Sequence, residues 1–404
     1  MNKAIRRICL SLFCLALSLL LVLGISAAMF GPEYMRRILV NGESRVTDYQ
    51  FFPERIIPKS ANPYTYVYDI DESLEKLQVS FEVEGGKIQT APLLRTAVDN
   101  GTTSLIVARN DTVVFDQYFN GSTRDSVNTS FSSVKSIDSL LIGLAIQDGY
   151  MNSVRQPAAD FIPEWKDTVF APITIEDLLL MRSNISYAEG FAWFTDDAKT
   201  YYMPDLRDLV LHKTRIDNKY HGQFHYNNYH PLLLGIILER STGRAVADYF
   251  REKIWDKIGA EYDASWSLDS ATTLFEKMES GLNFRSIDFL KIGSMLQNHG
   301  TFNGREVIGA GWIDESIIAP VPLAGDDTDS AYLSDRNVGY RYMWYSMENN
   351  RGGHDFFAAG KYGQYLYVSP ENDVVIVRTG TDTGRVVFWP EIFRQIAGYT
   401  GSHI

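Results

Sequence analysis

Two residues three positions apart give the first indication of chemistry. Ser132-Ser133-Val134-Lys135 is an S-x-x-K element. On a helix, positions i and i+3 share a face one turn apart, so the Lys135 amine can reach the Ser132 hydroxyl. A serine hydroxyl is a poor nucleophile until a base takes its proton. A lysine can serve when burial or a second cation weakens its hold on its own proton. The start of a helix also offers backbone N–H groups without helical partners, which suit a developing oxyanion. The pattern recurs at Ser73-Leu74-Glu75-Lys76, and Ser132, Lys135, Ser136 and Ser139 could instead form a polar stripe facing water. Context separates the two copies. Ser73 lies in a polar, acid-rich stretch, whereas Ser132 opens a segment whose other face is strongly apolar.

Two more elements could complete such a site. Tyr226-Asn227-Asn228 is a Y-x-N element just before an apolar run. A tyrosine near lysines can relay a proton, and an amide side chain can hydrogen-bond a substrate. The same pattern at Tyr118-Phe119-Asn120 and Tyr150-Met151-Asn152 makes it uninformative alone. Lys361-Tyr362-Gly363 is a K-x-G element that opens an expected strand, where glycine would let a substrate approach the backbone. Its counterparts at Lys257-Ile258-Gly259 and Lys291-Ile292-Gly293 fall in helix-like segments. His212, His221, His225 and His230 cluster in sequence and raise a metallohydrolase alternative. Against it, Gly222 weakens a helix between His221 and His225, and H-E-x-x-H is absent from the sequence. G-x-S-x-G is absent as well, so the nucleophile elbow of α/β-hydrolases is not supported.

These residues need elements to hold them. Val134, Ile137, Leu141 and Leu144 recur at helical spacing, with Gly149 where a helix would stop. Thr103–Ala108 and Thr112–Tyr118 flank an Asn110-Asp111 turn, which predicts a hairpin. Pro92–Val98 suggests a short helix, and Tyr64–Val83 has strand character at its two ends. Residues 150–260 read as helices and loops, with helical spacing over 173–181, 204–212, 232–239 and 244–258. The aromatic-rich segment 186–203, which holds Trp193 and Phe194, reads as a packed loop whose rings serve the core or an acyl pocket. Tyr362–Val368 and Val374–Arg378 predict a second hairpin, followed by a terminal helix over Phe388–Ala397. Strands at both ends of a helical middle predict an α+β fold, an antiparallel sheet flanked by helices with an inserted, mainly helical lobe.

The chain has 404 residues, 45% hydrophobic and 22% charged, enough to bury a large core. Its net charge is −12, and since Lys3, Arg6 and Arg7 are the only charges in residues 1–30, the remainder stands at −15. A body this acidic repels the phosphate backbone, so nucleic acid is excluded as an expected partner. Both cysteines, Cys9 and Cys14, fall in the N-terminal apolar run, which leaves the body without a thiol nucleophile or cysteine metal site. From Ile8 to Phe30 no residue is charged. As a helix this run would be about 34 Å long, enough to cross a bilayer core. Ser26-Ala27-Ala28 resembles a signal cleavage site, but the length favours a retained anchor. The preceding basic residues predict a cytoplasmic amino terminus and an exported body, opposed by Arg36 and Arg37 on the far side. The expected division is an anchor or signal over 1–30, a linker and N-terminal extension over 31–100 (31–63 reading as linker), and a catalytic domain over 101–404.

The three elements, in this order and in these contexts, resemble the serine β-lactamase and penicillin-binding-protein superfamily, in particular the class C β-lactamase-related esterases and amide hydrolases. The strings SFSSVKSIDSLLIGLAIQDGYM, ITIEDLLLMRSN, FHYNNYHPLLLGIILERSTGR and AAGKYGQYLYVSPENDVVIVRTG carry the likeness from about Thr102 to Ala397. It resembles branches that include carboxylesterases and aminohexanoate-oligomer hydrolases. The resemblance implies a β-lactamase/transpeptidase-like fold and a serine hydrolase acting through an acyl-enzyme on a small ester, amide or peptide. No metal or organic cofactor is implied. Ser132 would be the nucleophile, Lys135 its base and Tyr226 the proton shuttle. Asn228 would contact a substrate amide, and Lys361 would supply the third-motif cation, which supports the electrostatics or binds a substrate carboxylate. Gly363 would permit close approach, and the N–H groups of Ser132 and Gln364 would form the oxyanion hole. Tyr362 stands where β-lactamases prefer a small hydroxyl residue, which favours an ester or non-lactam amide. A different class of reading is a non-catalytic sensor that binds a cell-wall or acyl ligand in the same cleft. The resemblance and the anchor together imply an inner-membrane, single-pass protein with its catalytic domain in the periplasm.

Overall fold

The computed structural model describes residues 3–190, 192–220, 222–317, 323, 333–349 and 351–403. Its centre is an eight-stranded sheet. In chain order the strands are β1 (Val67–Tyr68), β2 (Thr102–Arg109), β3 (Thr112–Tyr118), β4 (Val338–Arg341), β5 (Trp344–Glu348), β6 (His354–Gly360), β7 (Gln364–Ser369) and β8 (Val374–Gly380). Across the sheet they run β4-β5-β6-β7-β8-β2-β3-β1. Every neighbouring pair is antiparallel except β1 with β3, which is parallel. The β2–β3 hairpin turns at Asn110 and Asp111, both at positive φ, the conformation that a tight primed turn requires. The second expected hairpin forms from β7 and β8, although β7 begins at Gln364 rather than Tyr362.

Side chains on these strands alternate between two separate cores. From β2, Ile106 and Ala108 join the larger core under the helical lobe, while Leu105 and Val107 face the smaller one. The smaller core is closed by the helix Leu93–Asp99 and by the terminal helix Trp389–His403, through Trp389, Ile392, Phe393 and Ile396. The helix Ser286–Gln297 covers the other face. A Cβ on its Gly293 would lie 2.3 Å from Val375 Cγ1, so a side chain there would push the helix off the sheet. That contact explains the K-x-G string at 291–293 as packing.

The helical lobe fills 150–260 as expected, with helices at Ile175–Leu179, Leu206–His212, Tyr229–Thr242 and Val246–Phe250, the last running into a π-turn over Arg251–Trp255. Part of the expected loop 186–203 is instead a helix, Asp196–Tyr202, in which Asp196 and Lys199 pair across one turn at 2.8 Å.

Residues 31–63 are not a linker. They form the helix Pro32–Asn41 and the strand Glu54–Ile57, which pairs with Ala264–Ser267 in a second, four-stranded sheet completed by Leu282–Phe284 and Asn128–Thr129. Tyr34, Met35 and Phe52 are buried against Tyr202, and the buried Arg37 donates to the carbonyls of Tyr202 and Asp269. The helix Lys3–Phe30 contains one stretch, Arg6–Phe30, long and apolar enough to cross a membrane.

Candidate active site

Ser132 sits in a single 3-10 turn, Phe131–Ser133, that feeds directly into the helix Val134–Gln147. The helix is anchored by Leu140, Leu141 and Leu144, all essentially inaccessible to water; truncating one such leucine to alanine typically costs about 2–5 kcal/mol. The small sheet fixes the turn from the other side. Asn128–Thr129 pairs with Asn283–Phe284, and the Ser130 N–H donates to the Leu282 carbonyl at 2.8 Å. Phe131, immediately before the serine, has φ +45, a sparsely populated conformation for a bulky residue. Such strain persists only where surrounding structure enforces it.

Lys135 points inward. It is 2% exposed, and its Nζ donates to Ser132 Oγ at 2.8 Å and to the Glu279 carbonyl at 3.1 Å. The same nitrogen lies 5.0 Å from the centre of the Tyr226 ring. Asn228 Nδ2 donates to Tyr187 Oη at 2.7 Å, and Tyr187 Oη donates to Asp197 Oδ1 at 2.5 Å. Ser132, Tyr226, Asn228 and Lys361 all line one cavity of about 520 Å³, together with Glu43, Ser44, Asp197, Tyr201, Tyr202 and Glu279. Three distant stretches, around 132, 226 and 361, therefore meet as the sequence predicts.

The third motif differs in detail. Lys361–Gly363 is a turn between β6 and β7, not the start of a strand, with Tyr362 at φ +63. Its glycine faces away from the serine. A Cβ on Gly363 would fall 1.9 Å from Arg378 Nη1, and its carbonyl accepts from that guanidinium at 2.7 Å. The close approach expected of Gly363 is made by Gly360, the last residue of β6. A Cβ there would lie 2.3 Å from the Ser130 carbonyl and 3.1 Å from the Ser133 nitrogen. Gln364 is buried beside Gly363, with its side-chain amide donating to the Gly380 carbonyl at 2.6 Å. The Lys361 Nζ pairs with Glu43 Oε1 at 2.9 Å and with Ser44 Oγ at 3.0 Å. The Tyr362 hydroxyl donates to the Ser44 carbonyl at 2.5 Å, and its ring meets Phe131 edge-on.

Several groups here had no sequence signal. The Glu279 carbonyl is a backbone acceptor, invisible to motif reading. Asp138, one turn beyond Lys135, is fully buried, and neither carboxylate oxygen is hydrogen-bonded to any described residue. Burial pushes its carboxyl well above the usual range, Lys135 opposes that, and Glu279 reinforces it. Gly360 could have been found, since it precedes the K-x-G string in AAGKYG.

The competing strings lead elsewhere. The Ser73 hydroxyl donates to Asp71 Oδ1 at 2.5 Å and shares a 2.8 Å bond with the Tyr399 hydroxyl on the exposed surface. Of the four clustered histidines, His221 lies outside the described residues. His230 is buried with its ring nitrogens against Ser183 Oγ and Met181 Sδ, and burial pushes its pKa down to about 3. His225 stacks on Tyr220 at 4.0 Å. Among the described residues no group of three or more His, Cys, Asp or Glu side chains is arranged to hold a metal ion.

Residues 93–271 match the family model described as Beta-lactamase. A 6-aminohexanoate-dimer hydrolase of Paenarthrobacter ureafaciens is 26% identical over 310 residues, covering 72% of this chain and 73% of that protein. A teichoic acid D-alanine hydrolase of Staphylococcus aureus is 25% identical over 189 residues, 46% of this chain and 45% of the relative. Among solved structures, a Bacillus anthracis protein described as a 6-aminohexanoate-dimer hydrolase superposes with a TM-score of 0.75 at 21% identity, covering 88% of this chain and 93% of that one.

Proposed function

As a member of the serine β-lactamase and penicillin-binding-protein superfamily, the chain has hydrolases for relatives, and we propose that it is itself a serine hydrolase, cleaving a small ester or linear amide through an acyl-enzyme. One observation carries the reading: the buried Lys135 Nζ lies 2.8 Å from Ser132 Oγ, at the floor of a cavity that Tyr226 also lines. In the first step the Ser132 proton moves to Lys135 as Oγ bonds to the acyl carbon. The oxygen of the tetrahedral intermediate accepts from the Ser132 N–H and from the N–H of Lys361. Lys361 takes this role in place of Gln364 because it follows Gly360, the glycine packed on the nucleophile's turn. Collapse breaks the bond to the leaving group, which takes a proton delivered through Tyr226. Water then adds to the acyl carbon, giving its proton to the same pair; the carbon–Oγ bond breaks, the proton passes back to Oγ, and the acid leaves a free Ser132 and an unprotonated Lys135.

Tyr187 and Asp197 hold the two Asn228 N–H donors, which leaves Oδ1, without a partner among the described residues, to accept from the N–H of a substrate amide. Tyr362, expected to favour esters and linear amides over β-lactams, is not among the residues lining the cavity; its hydroxyl donates to the Ser44 carbonyl, so that preference does not rest on it. The apolar helix Arg6–Phe30 supports a membrane anchor, and the basic residues before it support a body on the periplasmic side. The test is a screen of the purified protein over short-chain esters, linear amides, D-alanyl esters and a chromogenic cephalosporin. Turnover of at least one ester or linear amide, lost in Ser132→Ala and insensitive to chelators, is expected. An intact protein that binds these compounds without turnover would instead be a sensor.

A further inference from the structure

The sequence assigns Lys361 to the substrate, yet in the structure its ammonium is already engaged. Glu43 Oε1 lies 2.9 Å away and Ser44 Oγ 3.0 Å away. Both residues follow the helix Pro32–Asn41, in a stretch that lies outside the matched family segment. Glu43 is held in place on both sides. The Tyr202 hydroxyl donates to the Gly42 carbonyl at 2.9 Å, and the Tyr362 hydroxyl donates to the Ser44 carbonyl at 2.5 Å. Gly42 turns the chain out of the helix at φ +65, a conformation that favours glycine.

The sign of the wall follows from this pairing. Among the described residues lining the cavity, Lys361 is the only basic one, against Glu43, Glu189, Asp197 and Glu279. Glu279 is 2% exposed and paired with the buried Lys277, so one positive and three negative formal charges, from Glu43, Glu189 and Asp197, leave the open wall at −2. Lys135 lies beneath Ser132 and is 2% exposed, so it does not offset the wall. Glu279 Oε1 accepts from Lys277 Nζ at 2.8 Å, and Oε2 is buried without a partner among the described residues. A cleft lined by one sign of charge concentrates ligands of the opposite sign and repels those of its own.

We propose that Glu43 is a specificity-determining residue: by occupying Lys361 it closes the one position where the site could bind a carboxylate, so the enzyme accepts acyl compounds that are neutral or cationic at that end and rejects anionic ones. The proposal rests on the acyl-enzyme reading above and adds the substrate's charge. Because Lys361 is one-third exposed, the pair adds little to folding, and its effect falls on ligands that reach the same ammonium.

The experiment uses the full-length protein in detergent and two series of matched aryl esters. Within each series the esters differ in one substituent, neutral or carboxylate, carried on the acyl chain in one series and on the leaving group in the other. The readout is the ratio of kcat/KM for the carboxylate ester to that for its neutral partner. Glu43→Gln and Glu43→Ala should each raise that ratio by about tenfold in one series, the scale of one unscreened charge at a cleft mouth. Adding Lys361→Met should abolish the gain. A ratio within twofold of the wild type in both series, from variants that still acylate Ser132 with a fluorophosphonate, overturns the proposal and leaves the hydrolase reading standing. Absence of both turnover and acylation in the wild type removes the hydrolase reading and this proposal with it.

Discussion

Asp138 lies one turn beyond Lys135 on the same helix, fully buried, with burial raising its carboxyl well above the usual range. In the unfolded chain the same group ionises near its reference value of about 3.9. Above that pH the folded protein binds the proton and the unfolded one does not, so stability falls as pH rises toward the folded value. Asn at this position is neutral at every pH. Urea denaturation from pH 4 to pH 7 should therefore show Asp138→Asn gaining on the wild type as pH rises. A wild type that gains on the variant over the same range would mean that Asp138 is ionised and paired with Lys135. At this scale the sequence was readable where a motif fixed residue type and spacing, as for Ser132, Lys135 and Tyr226. It was silent on Asp138 and on the Glu279 carbonyl, because neither belongs to a pattern and only the fold brings them to the lysine.

Among the elements, the turn between β6 and β7 separates two glycines that look interchangeable in AAGKYGQ. An alanine at Gly360 would drive its Cβ to 2.3 Å from the Ser130 carbonyl, displacing the turn that carries Ser132. Small misplacements of this kind can cost about a hundredfold in rate. Gly360→Ala should slow acylation on that scale while the protein stays folded. At Gly363, φ is +79 and the intruding Cβ meets the buried Arg378, so Gly363→Ala should cost about 1–3 kcal/mol of stability. Acylation rates and thermal melts of the two variants check this, and the reverse pattern would return the close-approach role to Gly363. The reason the motif misled is physical. A strand and a tight turn both accept Lys-Tyr-Gly, and the choice is made by Arg378 from β8, 15 residues away, donating to the Gly363 carbonyl. The hairpin at Asn110-Asp111 was legible because its signal is local, and the helix Asp196–Tyr202 was not, because its aromatic residues hide the period.

For the molecule as a whole, strands at both ends of the chain around a helical middle were enough to predict an antiparallel sheet with an inserted lobe. The part that pattern reading missed is the stretch after the apolar helix. Residues 31–57 carry no clear period, yet they bury Tyr34 and Phe52, add a strand to the small sheet and deliver Glu43 to the cavity. Their structure comes from tertiary contacts rather than from local preference. The account as a whole depends on Ser132 being activated by Lys135, and mapping the site and rate of fluorophosphonate labelling by peptide mass spectrometry tests that most directly. One adduct, on the peptide holding Ser132, is expected in the native protein, with labelling abolished by Ser132→Ala, abolished by Lys135→Ala and unaffected by Ser73→Ala. An adduct on any other serine, or a Lys135→Ala protein that labels Ser132 at the wild-type rate, would contradict it.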